Sequence, residues 1–245
     1  PRTLLGLWLL LGLISALTKL HKCNNFLIFK YVFWHVWEQT SLYAPYPDQY
    51  WDTNHYGPFF SLLIVPFAVL PHPLGLVFWH VLMALALFVA IRKLPMRQGK
   101  QIFIYWFCAH ELLTALFMSQ FNIIIAAIIV ASFYCVEKEK DITAACLIMI
   151  GTFVKLYGIV GLAFFFFSKH KVKFVLALIG WALVCFGLPM LISSPEYIID
   201  QYKEWYLSLS GKNMENMFSD MQNQSLLGLV RKISHVSTYS DLWLI

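Results

Sequence analysis

Charged residues are scarce in this chain. Only 13% of its 245 residues are Asp, Glu, Lys or Arg, whereas 60% are hydrophobic, and an ordinary soluble domain carries roughly 25% charge. The apolar stretches are continuous and do not alternate with polar residues, which excludes a transmembrane barrel and favours helices. Several stretches approach the roughly 20 residues that cross a bilayer. We therefore predict an all-α, multi-pass transmembrane helical bundle.

Paired cysteine motifs are also lacking. The five cysteines form no Cys-x-x-Cys pair and lie mostly within apolar runs, so a disulfide framework or a zinc site is not expected. No internal repeat is present, which disfavours the commonest transporter architectures. The net charge of +5 comes from short basic clusters between apolar runs, where membrane orientation explains them and nucleic-acid binding is not implied.

The apolar runs predict the membrane spans. Five of them are 3–17, 74–91, 102–118, 123–136 and 174–192, and two others, 59–70 and 142–167, are respectively short and long. Apolar residues at helical spacing predict an interfacial helix at 25–39. If every run crosses once, the polar segments 40–58 and 193–223 share one face, but the basic stretch 92–100 then violates the positive-inside rule.

A second topology repairs that violation. In it, 59–70 is re-entrant and 142–167 breaks into two half-spans, and the same two polar segments still share a face. We prefer the simple count, because the positive-inside rule is statistical. Both topologies predict that the two polar segments face each other across one membrane surface.

The first polar segment, 40–58, contains the best candidates for acid–base chemistry. Asp48 and Asp52 lie there, with Glu38 just before them, and a carboxylate can act as a general base or share a divalent metal with a second acid. Asp48 follows a proline and is the more typical turn residue of the pair. His55 either assists the base or is simply solvated. Tyr56 and the neighbouring aromatics either stack on a sugar ring or form an interfacial belt.

Lys155 is the clearest polar signal within an apolar run. A lysine at the centre of a span costs about 2.5–3.5 kcal/mol unless it is paired or hydrated, so it points to a ligand such as a phosphate. The alternatives are snorkelling or an ion pair with Glu111. Gln120 and Asn122 form a turn between two runs, where they either bind sugar hydroxyls or cap the helix ends.

These residues together resemble glycosyltransferase family 87. The resemblance is carried by five short motifs: Asn24-Asn25-Phe26, Leu42-Tyr43, Tyr56-Gly57-Pro58, Gln120-x-Asn122 and Phe153-Val154-Lys155-Leu156-Tyr157-Gly158. That family contains polyprenyl-phosphate-mannose-dependent α-mannosyltransferases of the C-type membrane fold. The resemblance implies a C-type glycosyltransferase bundle with interfacial helices in its outer loops. It also implies one transmembrane catalytic module over 1–245, which we expect to be truncated at both ends, with outer loops at about 21–57 and 193–223.

The resemblance also implies a reaction. A hexose, with mannose favoured, passes from a polyprenyl-phosphate donor to a glycan or glycolipid acceptor in one inverting displacement. Family members often carry an aspartate at the position of Asn25, and an asparagine is no base, so we expect Asp52 to be the catalytic base, with Asp48 second. Lys155 would bind the donor phosphate, and Gln120 and Asn122 would line the donor pocket. His55, Tyr56, Asn25 and Glu38 complete the candidate binding residues.

The remaining expectations concern the protein's surroundings. We expect a multi-pass protein of the cell membrane with its active site on the extracytoplasmic face and with membrane lipid as a partner. The lipid-linked sugar is a co-substrate, and a divalent metal is not required. Two alternatives remain open: a transporter or lipid flippase with Lys155 as its substrate site, and an inactive family member, suggested by Asn25.

Overall fold

The computed structural model describes residues 2–21, 23–217, 226–234 and 236. These residues form helices and no strand, which confirms the all-α prediction. The α-helices are α1 Arg2–Thr18, α2 Asn24–Glu38, α3 Phe60–Ala68, α4 His72–Lys93, α5 Gln98–Phe117, α6 Asn122–Glu137, α7 Asp141–Val154, α8 Lys171–Gly187, α9 Pro195–Met217 and α10 Leu226–Ser234. Two 3-10 helices span Leu156–Phe167 and Leu188–Leu191. The end of the predicted second loop, 218–223, and the apolar run 242–245 lie outside the described residues.

Within the described part of the chain, two helical stretches are long and apolar enough to cross a membrane, His72–Lys93 and Lys171–Leu191. They coincide with the predicted spans 74–91 and 174–192. Four shorter apolar helices, α1, α6, α7 and the 3-10 helix Leu156–Phe167, lie beside them. The predicted helix at 25–39 is α2.

The apolar helices alternate in direction between two ends of a bundle. Trp8 of α1 packs against Phe88 of α4, and Ser15 hydrogen-bonds His80 one to two turns further along, so these two helices are antiparallel. We call the end that holds Gly57 and Lys155 the loop end, and the end that holds Arg92 and Lys169 the basic end. An aromatic core of Phe29, Phe60, Trp79 and Phe121 fills the loop end.

The long apolar run is a helical hairpin, so the preferred single crossing of 142–167 is wrong. α7 ends at Val154, Lys155 adopts an extended backbone, and the 3-10 helix returns to the basic end, where Ser168 donates a 2.6 Å hydrogen bond to Asp141. Gly158 packs directly on the backbone of Gly151. Glycines allow this close approach because they have no Cβ.

The short run 59–70 does not cross either. Its helix, α3, begins beside Gly57 and ends where the carbonyl of Leu70 accepts a 3.1 Å hydrogen bond from Lys30 of α2. Both ends therefore lie at the loop end, as the second topology proposed. Consequently the basic stretches 92–100, 138–140 and 169–173 all lie at the basic end, and the violation of the positive-inside rule disappears.

The two polar segments meet at the loop end, which confirms the prediction that they face each other. The second segment is mostly one helix, α9. Its Gln201 side chain accepts a 2.7 Å hydrogen bond from the backbone N–H of Leu42. Its Glu204 accepts another of 2.7 Å from the Ser41 hydroxyl. These contacts fix α9 over the segment 40–58.

Candidate functional site

Lys155, Asn122 and Gln120 form one cluster at the loop end. The Lys155 ammonium donates a 2.7 Å hydrogen bond to Asn122 Oδ1, and the Asn122 amide donates one of 3.0 Å to Gln120 Oε1. Lys155 Nζ also lies 5.4 Å from the ring centre of Tyr56 and 5.2 Å from that of Tyr157, within range for cation–π attraction. The structure thus brings Lys155, the Gln120–Asn122 turn and Tyr56 of the first polar segment together.

Lys155 has no carboxylate partner among the described residues. Its predicted alternative partner, Glu111, lies 3.5 Å from His110 instead, and both of those side chains are more than 80% exposed. The ion-pair alternative is therefore wrong. An ammonium group has three donors, and Asn122 occupies one of them, so Lys155 retains donors and an uncompensated charge for an anionic ligand.

The turn that carries Gln120 and Asn122 is held by a buried polar chain. His80 Nε2 hydrogen-bonds the Ser119 hydroxyl at 2.6 Å, and its Nδ1 hydrogen-bonds Ser15 at 2.8 Å. Ser119 also shares a 2.8 Å hydrogen bond with Cys23 and has a left-handed φ of 48°, which is strained for a residue with a Cβ. These contacts hold the strained turn that carries Asn122, the partner of Lys155. The next helix, α6, begins without a side-chain cap hydrogen bond, so helix capping does not explain Gln120 and Asn122.

An apolar groove begins at this turn. It has a volume of about 490 Å³ and lies between α4, α5 and α6. Its walls are mostly aliphatic, and its polar residues, Glu111, Thr114, Gln120 and Asn122, lie toward the loop end. An apolar groove that ends in two amides, with a lysine beyond them, has the chemistry to bind an amphiphile with an anionic head group.

Asp52 lines a second, polar cavity of about 560 Å³ between the segment 40–58 and α9. The carboxylate is half-buried, and its Oδ1 accepts a 2.8 Å hydrogen bond from the backbone N–H of Thr53. Glu204, Glu215 and Lys212 of α9 line the same cavity. Glu204 is not among the residues predicted from the sequence, although it lies among Tyr202, Trp205 and Tyr206 in a segment predicted to share this face.

Hydrogen bonds hold His55 in the wall of this cavity, so the alternative that it is simply solvated is wrong. Its Nδ1 hydrogen-bonds Ser208 at 2.8 Å, and its carbonyl accepts a 2.9 Å hydrogen bond from the Trp205 indole. Burial lowers the pKa of His55 below its usual value of 6.5, and Lys212 and Lys155 lower it further against the opposing charges of Asp52 and Glu215. The ring is therefore neutral at pH 7 and able to accept a proton.

Residues 55–57 join the cavity of Asp52 to the Lys155 cluster. His55 faces the cavity of Asp52, whereas the next residue, Tyr56, lies under Lys155 and packs on Phe121. Gly57 follows, and its N–H donates a 3.0 Å hydrogen bond to the Val154 carbonyl, immediately before Lys155. His55, Tyr56 and Gly57 thus link the cavity of Asp52 to the Lys155 cluster.

The other predicted residues, Asp48, Asn25 and Glu38, do not line the cavity of Asp52. Asp48 is an exposed residue of a tight turn and lines a different cavity with Asn24 and Trp51, so it does not share a metal with Asp52. Asn25 donates a 2.6 Å hydrogen bond to the Met118 carbonyl, a contact that ties α2 to the end of α5. Glu38 is exposed at the end of α2 and does not line the cavity of Asp52.

Together, the helical bundle and its apolar spans define a multi-pass membrane protein, and its polar site opens onto an apolar groove. The chain belongs to glycosyltransferase family 87, whose sequence model matches residues 54–245, and the protein is therefore a membrane glycosyltransferase. The match includes His55, Tyr56, Gln120, Asn122 and Lys155, but it begins after Asp48 and Asp52. No curated protein and no solved structure is significantly similar to the chain.

Proposed function

We propose that this glycosyltransferase moves a hexose, with mannose favoured, from a polyprenyl-phosphate donor to an acceptor hydroxyl on the extracytoplasmic side of the cell membrane. The observation that supports this most is the position of Lys155. Within the described residues it is a cation without a carboxylate partner, and it donates a hydrogen bond to Asn122 at the polar end of an apolar groove. A lipid-linked sugar phosphate has the matching order of groups: an apolar chain, an anion and a polyol.

In this proposal the prenyl chain lies in the groove between α4, α5 and α6. The phosphodiester lies at Lys155, and the amides of Gln120 and Asn122 bind the phosphate or the first sugar hydroxyls. The phosphodiester carries one negative charge, and the released phosphate monoester carries up to two. Lys155 therefore attracts the phosphate more strongly as the bond breaks, and that difference is what lowers the barrier.

The acceptor binds in the cavity of Asp52. Its hydroxyl oxygen attacks the anomeric carbon, and the hydroxyl proton passes to the Asp52 carboxylate. The bond between the anomeric carbon and the phosphate oxygen breaks, and its electron pair stays on the phosphate. One displacement inverts the anomeric centre, so a single base is sufficient, and neither step needs a metal. Neutral His55 and Glu204 border the same cavity and orient the acceptor.

The charges of the bundle support this placement of the site. The basic stretches 92–100, 138–140 and 169–173 lie at the end opposite Lys155. Basic residues are enriched on the cytoplasmic side, which supports a loop end on the extracytoplasmic side.

The test is sugar transfer from a radiolabelled polyprenyl-phosphate-mannose by the full-length protein in proteoliposomes. We expect Asp52→Asn to lower kcat by roughly 100- to 10,000-fold, the range for a general base, with donor binding retained. Asp48→Asn is the matched control, because it removes an exposed carboxylate four residues earlier, and we expect near-normal turnover. Glu204→Gln tests the neighbouring acid of the same cavity.

Three outcomes would contradict the proposal. Wild-type turnover in Asp52→Asn would remove Asp52 as the base, and a collapse of turnover only in Glu204→Gln would transfer that role to Glu204. Movement of the lipid across the bilayer without sugar transfer would favour the transport alternative. Absence of transfer with every hexose donor would favour an inactive family member.

A further inference from the structure

A second large groove lies at the basic end, away from Lys155 and the cavity of Asp52. It has a volume of about 1010 Å³ and lies along α8 and the start of α7. Its lining has a basic part and an apolar part. Four cationic or titratable residues, Lys169, His170, Lys171 and Lys173, line one end, and apolar residues of α8 with Ile142 line the rest.

Two of these four residues are compensated by acids, and two are not. Lys169 forms a 2.7 Å ion pair with Glu139, and His170 lies 3.2 Å from the buried carboxylate of Asp141. Lys171 donates only to the Ser168 carbonyl, at 3.1 Å, and Lys173 forms no hydrogen bond or ion pair within the described residues. Two lysine charges therefore remain at the mouth of the groove.

The apolar floor of the groove is one face of α8. Val172, Leu176, Gly180 and Val184 recur every four residues, a spacing that places them in a row. Val172 and Leu176 are 74% and 63% exposed, and a Cβ added at Gly180 would meet no atom within 4 Å. The row is open along its length.

The row also has the length of one lipid leaflet. Lys173 and Val184 are 11 residues apart. At 1.5 Å per residue this spacing is about 16 Å, close to half of the roughly 30 Å hydrocarbon core. A headgroup held at the lysines would therefore leave its acyl chains alongside α8 down to the bilayer midplane.

We infer that this groove binds an anionic glycerophospholipid, with the phosphate between Lys171 and Lys173 and the acyl chains along the α8 row. The uncompensated charge selects an anionic headgroup, as basic pockets between spans do elsewhere. The groove is about twice the size of the one at Gln120, about 1010 Å³ against about 490 Å³. This site is independent of the proposed sugar transfer.

The test uses full-length protein in detergent and native mass spectrometry, with phosphatidylglycerol and phosphatidylcholine of identical acyl chains as probes. We expect wild type to retain phosphatidylglycerol preferentially. The double variant Lys171→Gln/Lys173→Gln should bind it roughly 30-fold more weakly, since each lysine near a lipid surface contributes about a factor of five. Lys93→Gln/Lys100→Gln removes the same charge from the same end but not from the groove, and should bind normally. Gly180→Leu fills open space, so it should fold and bind less lipid.

Five results would overturn the inference. The first is equal retention of the two phospholipids by wild type. The second is unchanged binding in the Lys171/Lys173 variant, and the third is an equal loss in the Lys93/Lys100 control, which would indicate general surface charge. The fourth is displacement of phosphatidylglycerol by an equal concentration of polyprenyl phosphate, which would assign the groove to the sugar donor. Protection of a cysteine introduced at Leu176 in lipid-free protein would instead show that another segment of the protein covers the row.

Discussion

The backbone N–H of Gly57 donates a hydrogen bond to the carbonyl of Val154. This contact sets the distance between the two halves of the candidate site, the Lys155 cluster and the cavity of Asp52. A Cβ built on Gly57 would collide with the carbonyl oxygen of Phe153 and would also press on the Trp205 ring. The segment 40–58 therefore approaches α7 as closely as it does because residue 57 has no side chain. On one side of this contact lies His55, and on the other lies Lys155.

Gly57→Ala should separate the two halves of the site without unfolding the bundle. The new methyl group forces the loop away from α7, so we expect sugar transfer to fall by roughly tenfold or more, because misplacement by about 1 Å costs as much as 100-fold. The measurement is kcat alongside the thermal midpoint of the same preparation. Gly99→Ala is the matched control, because a Cβ there meets no atom within 4 Å; equal activity in the two variants would show that the Gly57 contact is unimportant.

Lys155→Met should weaken donor binding while the protein still folds. Methionine keeps most of the side-chain volume but removes the charge. Hydrogen bonds to charged groups contribute about 1.5–3 kcal/mol, so the Kd for the donor lipid should rise by roughly 10- to 150-fold. Titration of purified protein with the donor lipid measures this directly. Asn122→Leu should show a smaller rise, because it removes the Lys155 partner but not the charge. An unchanged donor Kd in Lys155→Met would remove the phosphate role.

Gly158→Ala should destabilise the hairpin of α7 and the 3-10 helix. The added methyl group would occupy the space of the Gly151 backbone, and overpacking of this kind costs about 1–3 kcal/mol. We expect a clear fall in the thermal midpoint, measured by fluorescence-detected size exclusion in detergent. Gly6→Ala in α1, where a Cβ meets nothing within 4 Å, should leave the midpoint unchanged or slightly higher. If both variants melt at the wild-type temperature, the legs of the hairpin are not in close contact.

Stability should fall in acid partly through His55. Its pKa is lowered in the folded protein below the usual 6.5, so below that pH the unfolded chain binds the proton more readily than the folded chain. His55 therefore has no effect on the free energy of unfolding through protonation at pH 7.5, and it lowers that free energy as the pH drops below 6.5. We expect the drop in thermal midpoint between pH 7.5 and pH 5 to be smaller in His55→Gln than in wild type. An identical drop in both proteins would contradict the lowered pKa.

Much of the fold could be predicted because the composition and periodicity of the sequence indicate where its helices lie. The apolar runs at 74–91 and 174–192, the helix at 25–39 and the shared face of the two polar segments all follow from local pattern and parity. The sequence favours a single crossing of 142–167 over the hairpin at Lys155, because the positive-inside rule that opposes a single crossing is statistical. The packing of Gly158 on Gly151 and the hydrogen bond of Ser168 to Asp141 decide for the hairpin, and both are tertiary contacts.

The part of the site around Lys155 could be predicted from the sequence, whereas the part around Asp52 was less predictable. Lys155, Gln120 and Asn122 were identified because polar groups are costly in an apolar setting, and the structure places them in one cluster. Asp48 and Asp52 are both acids of one loop, and their separation into different cavities depends on the turn before Tyr50, which the spacing does not define. Glu204 was missed because its role depends on α9 lying over Ser41, a contact 163 residues apart in the chain.

The non-crossing α3 and the folded α7 hairpin have a joint consequence for any topology map of this protein. Each changes the number of crossings by one relative to a count of apolar runs, and the two changes cancel. Reporters fused near either terminus would therefore give the same answer for both arrangements. Only the stretch between them is inverted, so a reporter placed at 95–100, 119–121 or 138–140 distinguishes the arrangement that exposes Gln120 beside Lys155 from the one that puts it on the opposite side of the bilayer.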